Sequence, residues 1–107
     1  PATRARETAE LAVPGIAVEF DPAVYDATPG TLLAVLDRHA GGGRTLLVGH
    51  NPVLEDLLVM LTSRSPFHCK MPTCGLAIIH FHVTLWSEIR PATGILRSLI
   101  YPKLFLE

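Results

Sequence analysis

No hydrophobic run in the 107 residues approaches the roughly 20 consecutive apolar positions that a membrane-spanning helix needs. No charged leader with a short apolar stretch and a small-residue cleavage site opens the chain, so nothing in it reads as a secretory signal. Cysteine is scarce. Cys69 and Cys74 are too few for a disulfide scaffold and suit a reducing, cytoplasmic setting. Neither sign of charge is in excess: nine Lys and Arg against ten Asp and Glu leave a net charge of −1. That balance removes the broad basic footprint of a nucleic-acid or anionic-membrane partner. Internal repeats and low-complexity tracts are also missing. The chain opens at Pro1 directly in helical sequence, with no strand ahead of it, which is the expectation for an internal fragment.

What is present is apolar. Hydrophobic residues make up 49% of the chain and charged ones 18%, the balance of a folded globular domain rather than a disordered one. A mean hydropathy of +0.34 is high for a complete soluble domain and fits a sheet that lacks part of its natural cover. Residues 1–107 are therefore expected to form one domain, incomplete, with a modest core.

The most informative stretch is Thr45-Leu46-Leu47-Val48-Gly49-His50-Asn51-Pro52. Its apolar run predicts a buried, parallel strand with His50 at the carboxyl end. Asn51 then reads as a helix N-cap and Pro52 as the first helical residue. Behind them Leu54, Leu57, Leu58 and Leu61 fall on one helix face. His50 would thus stand at a strand-to-helix switch, where open α/β sheets bind ligands and where free helix N–H groups favour an anion. The same position also suits a structural histidine bonded to a neighbouring carbonyl.

Elsewhere, residues 3–12 read as a helix. Arg4, Thr8 and Leu11 share one face, and Arg6 pairs with Glu10 on another. On this reading Arg4 reaches toward a crevice while Arg6 is a solvated ion-pair partner. Ile16 to Phe20 suggests a short strand or extended edge. Thr28-Pro29 caps and starts a second helix with Leu32, Leu33, Leu36 and His39 on its apolar side. The glycines at 41–43 precede a strand and lack a following Lys-Ser/Thr, so they form a flexible turn rather than a phosphate cradle. Gly75 to Val83 predicts a strand, Leu85 to Arg90 its hairpin partner, and Ile95 to Tyr101 a further edge strand. The sum is an α/β layered sheet, part parallel and part antiparallel, flanked by helices. His80 and His82 alternate onto one face of their strand and invite a zinc reading with His68, Cys69 or Cys74. Their spacing matches no closed zinc pattern, so no metal and no cofactor is expected, and the cysteines read as small buried fillers.

These residues also resemble a known family. Pro1-Ala2-Thr3-Arg4-Ala5-Arg6-Glu7-Thr8-Ala9-Glu10 looks like the Ser-Pro-x-x-Arg-Ala-x-x-Thr-Ala segment of the histidine phosphatase superfamily. Leu47-Val48-Gly49-His50-Asn51-Pro52 is similar to the second-histidine motif of its small bacterial branch, the SixA-type phosphohistidine phosphatases. Tyr25 with the Pro29 helix, Pro72-Thr73-Cys74 before a strand, and Tyr101-Pro102-Lys103 follow the same branch in order. The resemblance implies the phosphoglycerate mutase-like fold lacking its first strand, with Arg4 binding the transferred phosphoryl group and His50 as the second pocket histidine. Asn51 and Thr73 would lie beside that pocket without a firm role. It implies a hydrolase passing through a phosphohistidine intermediate, with a phosphohistidine-bearing protein as partner. The family's Arg-His-Gly motif, which carries the nucleophile, is absent from these residues; Arg38-His39 sits late in a helix instead. The chain alone is therefore expected to be inactive. Asp26 is a loose candidate for a general acid, although a turn carboxylate is the plainer reading. The alternatives are a phosphatase of small phosphomonoesters and a non-catalytic phosphate-binding or interaction domain.

Overall fold

A computed structural model describes residues 2–24, 27–39 and 43–102. Tyr25, Asp26, Gly41, Gly42 and Lys103 lie outside the described residues, so the general-acid candidate and part of the glycine turn do too. The described chain runs α1 (Ala2–Ala12), a single 3-10 turn (Pro22–Val24), α2 (Pro29–His39), α3 (Val53–Thr62), β1 (Leu76–Phe81), a second 3-10 turn (Trp86–Glu88) and β2 (Gly94–Ile100). It is a mixed α/β arrangement of three helices and one two-stranded antiparallel sheet.

The helices arise where their apolar period is strongest. In α3 Leu57, Leu58 and Leu61 are buried and Leu54 packs against them, the face that the leucine spacing predicts. α2 begins at Pro29 behind a reciprocal cap. Thr28 Oγ1 accepts from the Thr31 N–H at 3.2 Å, and Thr31 Oγ1 accepts from the Thr28 N–H at 2.7 Å. Leu32 and Val35 carry its buried side, with Leu33 partly buried against the core. His39 is not on that side. It is exposed and turned toward carboxylates of the preceding segment, because its ring can be satisfied there and not among leucines.

The core joins Leu32, Leu57, Leu61 and Ile89, with Leu47, Ile79, Phe81 and Trp86 packed around them. The β-hairpin reaches it through one closely approached glycine. A Cβ on Gly94 would stand 3.0 Å from the Leu61 carbonyl and 2.6 Å from Ile79, so the end of α3 and the start of β2 meet only because position 94 has no side chain.

The hairpin expectation is corrected. The β1 partner is β2, paired from Leu76↔Ile100 to Phe81↔Gly94 with a shift between Ile78 and Ile79. Residues 85–90 do not form that partner. The Leu85 N–H donates to Glu88 Oε1 at 3.0 Å and the Leu85 carbonyl accepts from the Glu88 N–H at 3.0 Å, closing a local turn before a ladder can form. Residues 44–49 form no strand and make no backbone hydrogen bond to another described residue, and the same holds for residues 17–20. No parallel ladder is formed among them. A strand is defined by its neighbour, and an apolar run without one stays an extended segment.

Cys69 is half-buried and Cys74 exposed, both free, so neither is a buried filler. Cys74 takes a positive φ of 59° inside the turn where the Gly75 N–H donates to the Pro72 carbonyl at 2.8 Å, which places its side chain outward.

Candidate functional site

Residues 16–22 and 44–50 line a cleft of about 800 Å³ together with residues of α1 and of the second half of α2. Its walls are mostly aliphatic, and the segment 44–50 ends in His50. A second hollow of about 480 Å³ lies on the other side of the same residue, lined by Thr28, Asn51, Pro52 and Asp56 among others. His50 is half-buried and lines both. Its carbonyl accepts from the Leu54 N–H at 3.3 Å, which ties the end of the extended run directly to the first turn of α3. The sequence thus delivers an imidazole to the mouth of a helix, as the apolar run ending in Gly-His suggests.

Asn51 does not cap that helix. The residue before Val53 is Pro52, without a side-chain cap, and the Asn51–Pro52 peptide is cis. The Asn51 amide instead donates to the Met71 carbonyl at 3.0 Å, while the Met71 N–H donates to the Glu55 carboxylate. Both backbone groups of Met71 are therefore strapped to the start of α3. This anchors the loop that carries Thr73, which is itself exposed.

The arginines are distributed differently from the helical-wheel reading. α1 turns Ala9 inward, at 6% exposure, and presents Ala5 and Arg6 to the cleft, which Val13 just beyond the helix also lines. Leu11 on the opposite face is 82% exposed. Arg4 is exposed and is not among the residues lining the cleft that holds His50. Arg6 does line it, and its guanidinium lies 4.3 Å from the centroid of the Phe20 ring, a cation–π contact rather than the expected ion pair with Glu10. Arg44 lines the cleft as well. The signal for this rotation is in the sequence: Ala5 and Ala9, four apart, are small residues on one helix face, and both line the cleft.

At the far end of the cleft His39 bridges two carboxylates. Its Nδ1 lies 2.7 Å from Glu19 Oε2 and its Nε2 2.9 Å from Asp21 Oδ2, and Arg38 reaches the same Asp21 oxygen at 2.7 Å. The hydrogen bond to Asp21 above all, with Glu19 adding to it, raises the His39 pKa above its ordinary 6.5. The Asp21 carboxyl is held below its ordinary value, first by the Ala23 N–H that donates to Oδ1 at 2.9 Å and then by His39. Nothing in the motifs pointed to this cluster. Its trace in the sequence is Arg38-His39 at a helix C-terminus following two acidic residues, Glu19 and Asp21.

His80 and His82 do share a face, with ring centroids 4.6 Å apart and both residues exposed. Phe81 points the other way, toward Trp86. Among the described residues no group of three or more His, Cys, Asp or Glu is placed to hold a metal ion, and no helix is long and apolar enough to cross a membrane.

In sequence, the chain is similar to two uncharacterized Mycobacterium tuberculosis proteins, MT1313 of strain CDC 1551 / Oshkosh and Rv1276c of strain ATCC 25618 / H37Rv. Each is 32% identical over 113 residues, a match that takes in 95% of this chain and 70% of the relative. No protein-family profile matches the chain, and no solved structure matches it.

Proposed function

We propose that this chain, which belongs to the family of those two mycobacterial proteins, is part of a phosphohistidine phosphatase of the histidine phosphatase superfamily. The observation that carries the reading is the position of His50, at the end of an apolar extended run, at the start of a helix, and on the edge of two clefts. An imidazole there can donate to the oxygens of a transferring phosphoryl group as their charge develops. The ordered motifs, Arg4-Ala5 followed by Thr8-Ala9 and then Gly49-His50-Asn51-Pro52, support the same reading. A guanidinium suits the bidentate geometry of a phosphoryl group. The reaction would run in two displacements, the phosphoryl group passing to a histidine nucleophile and then to water. That nucleophile, in an Arg-His-Gly motif, is not within these 107 residues, so the chain by itself turns nothing over.

The finer fold is part of the proposal. Residues 17–20 and 44–49 both line the main cleft and make no backbone hydrogen bond to another described residue. A further strand laid between them would satisfy both edges and give the partly parallel sheet of the phosphoglycerate mutase-like fold. A cytoplasmic setting and a phosphohistidine-bearing protein partner belong to the same proposal. A general acid carried only by the loose candidate Asp26 favours a phosphohistidine over a small phosphomonoester. An imidazole departs more readily than an alkoxide.

Two arginines compete for the oxyanion. The motif designates Arg4, and the cleft designates Arg6. Titration of orthovanadate into the Arg4→Ala and Arg6→Ala variants separates them. Loss of a charge-assisted contact weakens binding by roughly tenfold or more. The proposal expects that loss in Arg4→Ala and near wild-type affinity in Arg6→Ala. The reverse result would mean that the family alignment of α1 is wrong, and equal affinity in both would remove the oxyanion site from this helix.

A further inference from the structure

The wall of the main cleft formed by residues 17–20 has no backbone hydrogen bond to another described residue. What holds it is a set of side chains. Glu19 and Asp21 reach His39 on the last turn of α2, Asp21 also reaches Arg38, and Phe20 lies under Arg6 of α1. Three of these four contacts converge on the last turn of one helix, and two of them meet on a single imidazole.

That geometry favours the charged form of the ring. A neutral imidazole has one N–H, so it donates to one carboxylate and turns a lone pair toward the other. Only the imidazolium donates on both sides. From its place at the C-terminal end of α2, it also meets the negative end of the helix dipole. The charged groups around it are Glu19 and Asp21 on the wall and Arg38 on its own helix, with Arg44 and Arg6 lining the same cleft from the facing segment and from α1.

We propose that His39 is a pH-dependent clasp that holds the 17–20 wall of the cleft against α2 when protonated and releases it when neutral. The inference concerns the cleft itself and holds whether or not His50 handles phosphate. The direction follows from the two groups that form the clasp. His39 titrates above its ordinary 6.5, so the clasp is complete below that value and weakens as pH rises through the raised one. Asp21 titrates below its ordinary value, so the acid side of the clasp is lost only at strongly acidic pH. Between those limits the wall is closed. On the alkaline side one carboxylate, Glu19 or Asp21, faces a lone pair and lets go, and the wall keeps only the Arg38–Asp21 pair, the Arg6–Phe20 contact and one bond to the ring.

Methyl NMR of Ala17 and Val18 in the 107-residue chain, which needs no backbone hydrogen bond, tests this directly. The ratio of closed to open wall that these methyls report should fall roughly two- to fivefold between pH 6 and pH 8.5, the range for exposed ion pairs, while the Leu57 and Leu61 methyls of α3 stay constant. His39→Gln should leave the Ala17 and Val18 methyls in the open state at both pH values and show no step. Should that variant fail to fold, Glu19→Gln keeps the imidazole and one partner and should shrink the step. The imidazole signal of His39 in the unaltered chain should titrate with a midpoint above 6.5. A pH-independent wall in the unaltered chain, a step that survives in His39→Gln, or a His39 midpoint at or below 6.5 would each overturn the clasp.

Discussion

His50→Ala, made in the chain completed by a strand that carries the Arg-His-Gly nucleophile, should lower the hydrolysis of a phosphohistidine protein by about 10²–10³, the loss that follows removal of one transition-state donor. The size of the effect comes from when the contact matters. A donor already aimed at the transferring oxygens costs no reorganisation as charge builds on them, and alanine cannot replace it. The loss should fall on turnover more than on substrate affinity, since a donor that tightens in the transition state contributes less to ground-state binding. His50 also bonds through its backbone carbonyl to Leu54, a contact that alanine keeps, so the variant should fold. Hydrolysis at the unaltered rate would return His50 to a structural role.

The second large effect is on stability. Leu32 is fully buried and joins α2 to Leu57 and Leu61 of α3 and to Ile89. Leu32→Ala removes the centre of that cluster and leaves a cavity between two helices whose backbones have little room to close it. The expected cost is about 2–5 kcal/mol, read as a lower denaturant midpoint at an unchanged slope. Against the roughly 5–15 kcal/mol typical of a whole domain this is a large share, and the core here is small. A change below about 1 kcal/mol would show that the α2–α3 contact is not where the fold is held.

The parts of this fold that were legible in the sequence are those whose signal is local. The leucines of α3 repeat at helical spacing, Thr28-Pro29 marks the start of α2 by cap chemistry, and the alternation of Ile78, Ile79, His80 and Phe81 writes a strand. The order of the final hairpin was not legible. Leu85 to Arg90 has the composition of a strand, but Glu88 closes on Leu85 through both its side chain and its backbone. The apolar run before His50 has the residues of a strand. Whether it becomes one depends on a neighbour, and its own residues cannot supply that.

The candidate site divides in the same way. His50 and the cleft beside it followed from one contiguous motif. The choice between Arg4 and Arg6 did not, because charges on a helix wheel say nothing about which face turns to the cleft. Small residues decide that, and Ala5 and Ala9 turn Arg6 toward Phe20. The pairing of Glu19 and Asp21 with His39 joins residues about twenty apart through loop geometry that no periodicity encodes.

Orthovanadate, followed through the histidine ring signals, asks most directly whether an oxyanion sits where the account puts it. With increasing vanadate the His50 signals should shift and saturate while those of His80 and His82 on the outer face of the hairpin stay still. Vanadate that leaves His50 unmoved, or that moves the hairpin histidines equally, would contradict a phosphoryl site at the head of α3.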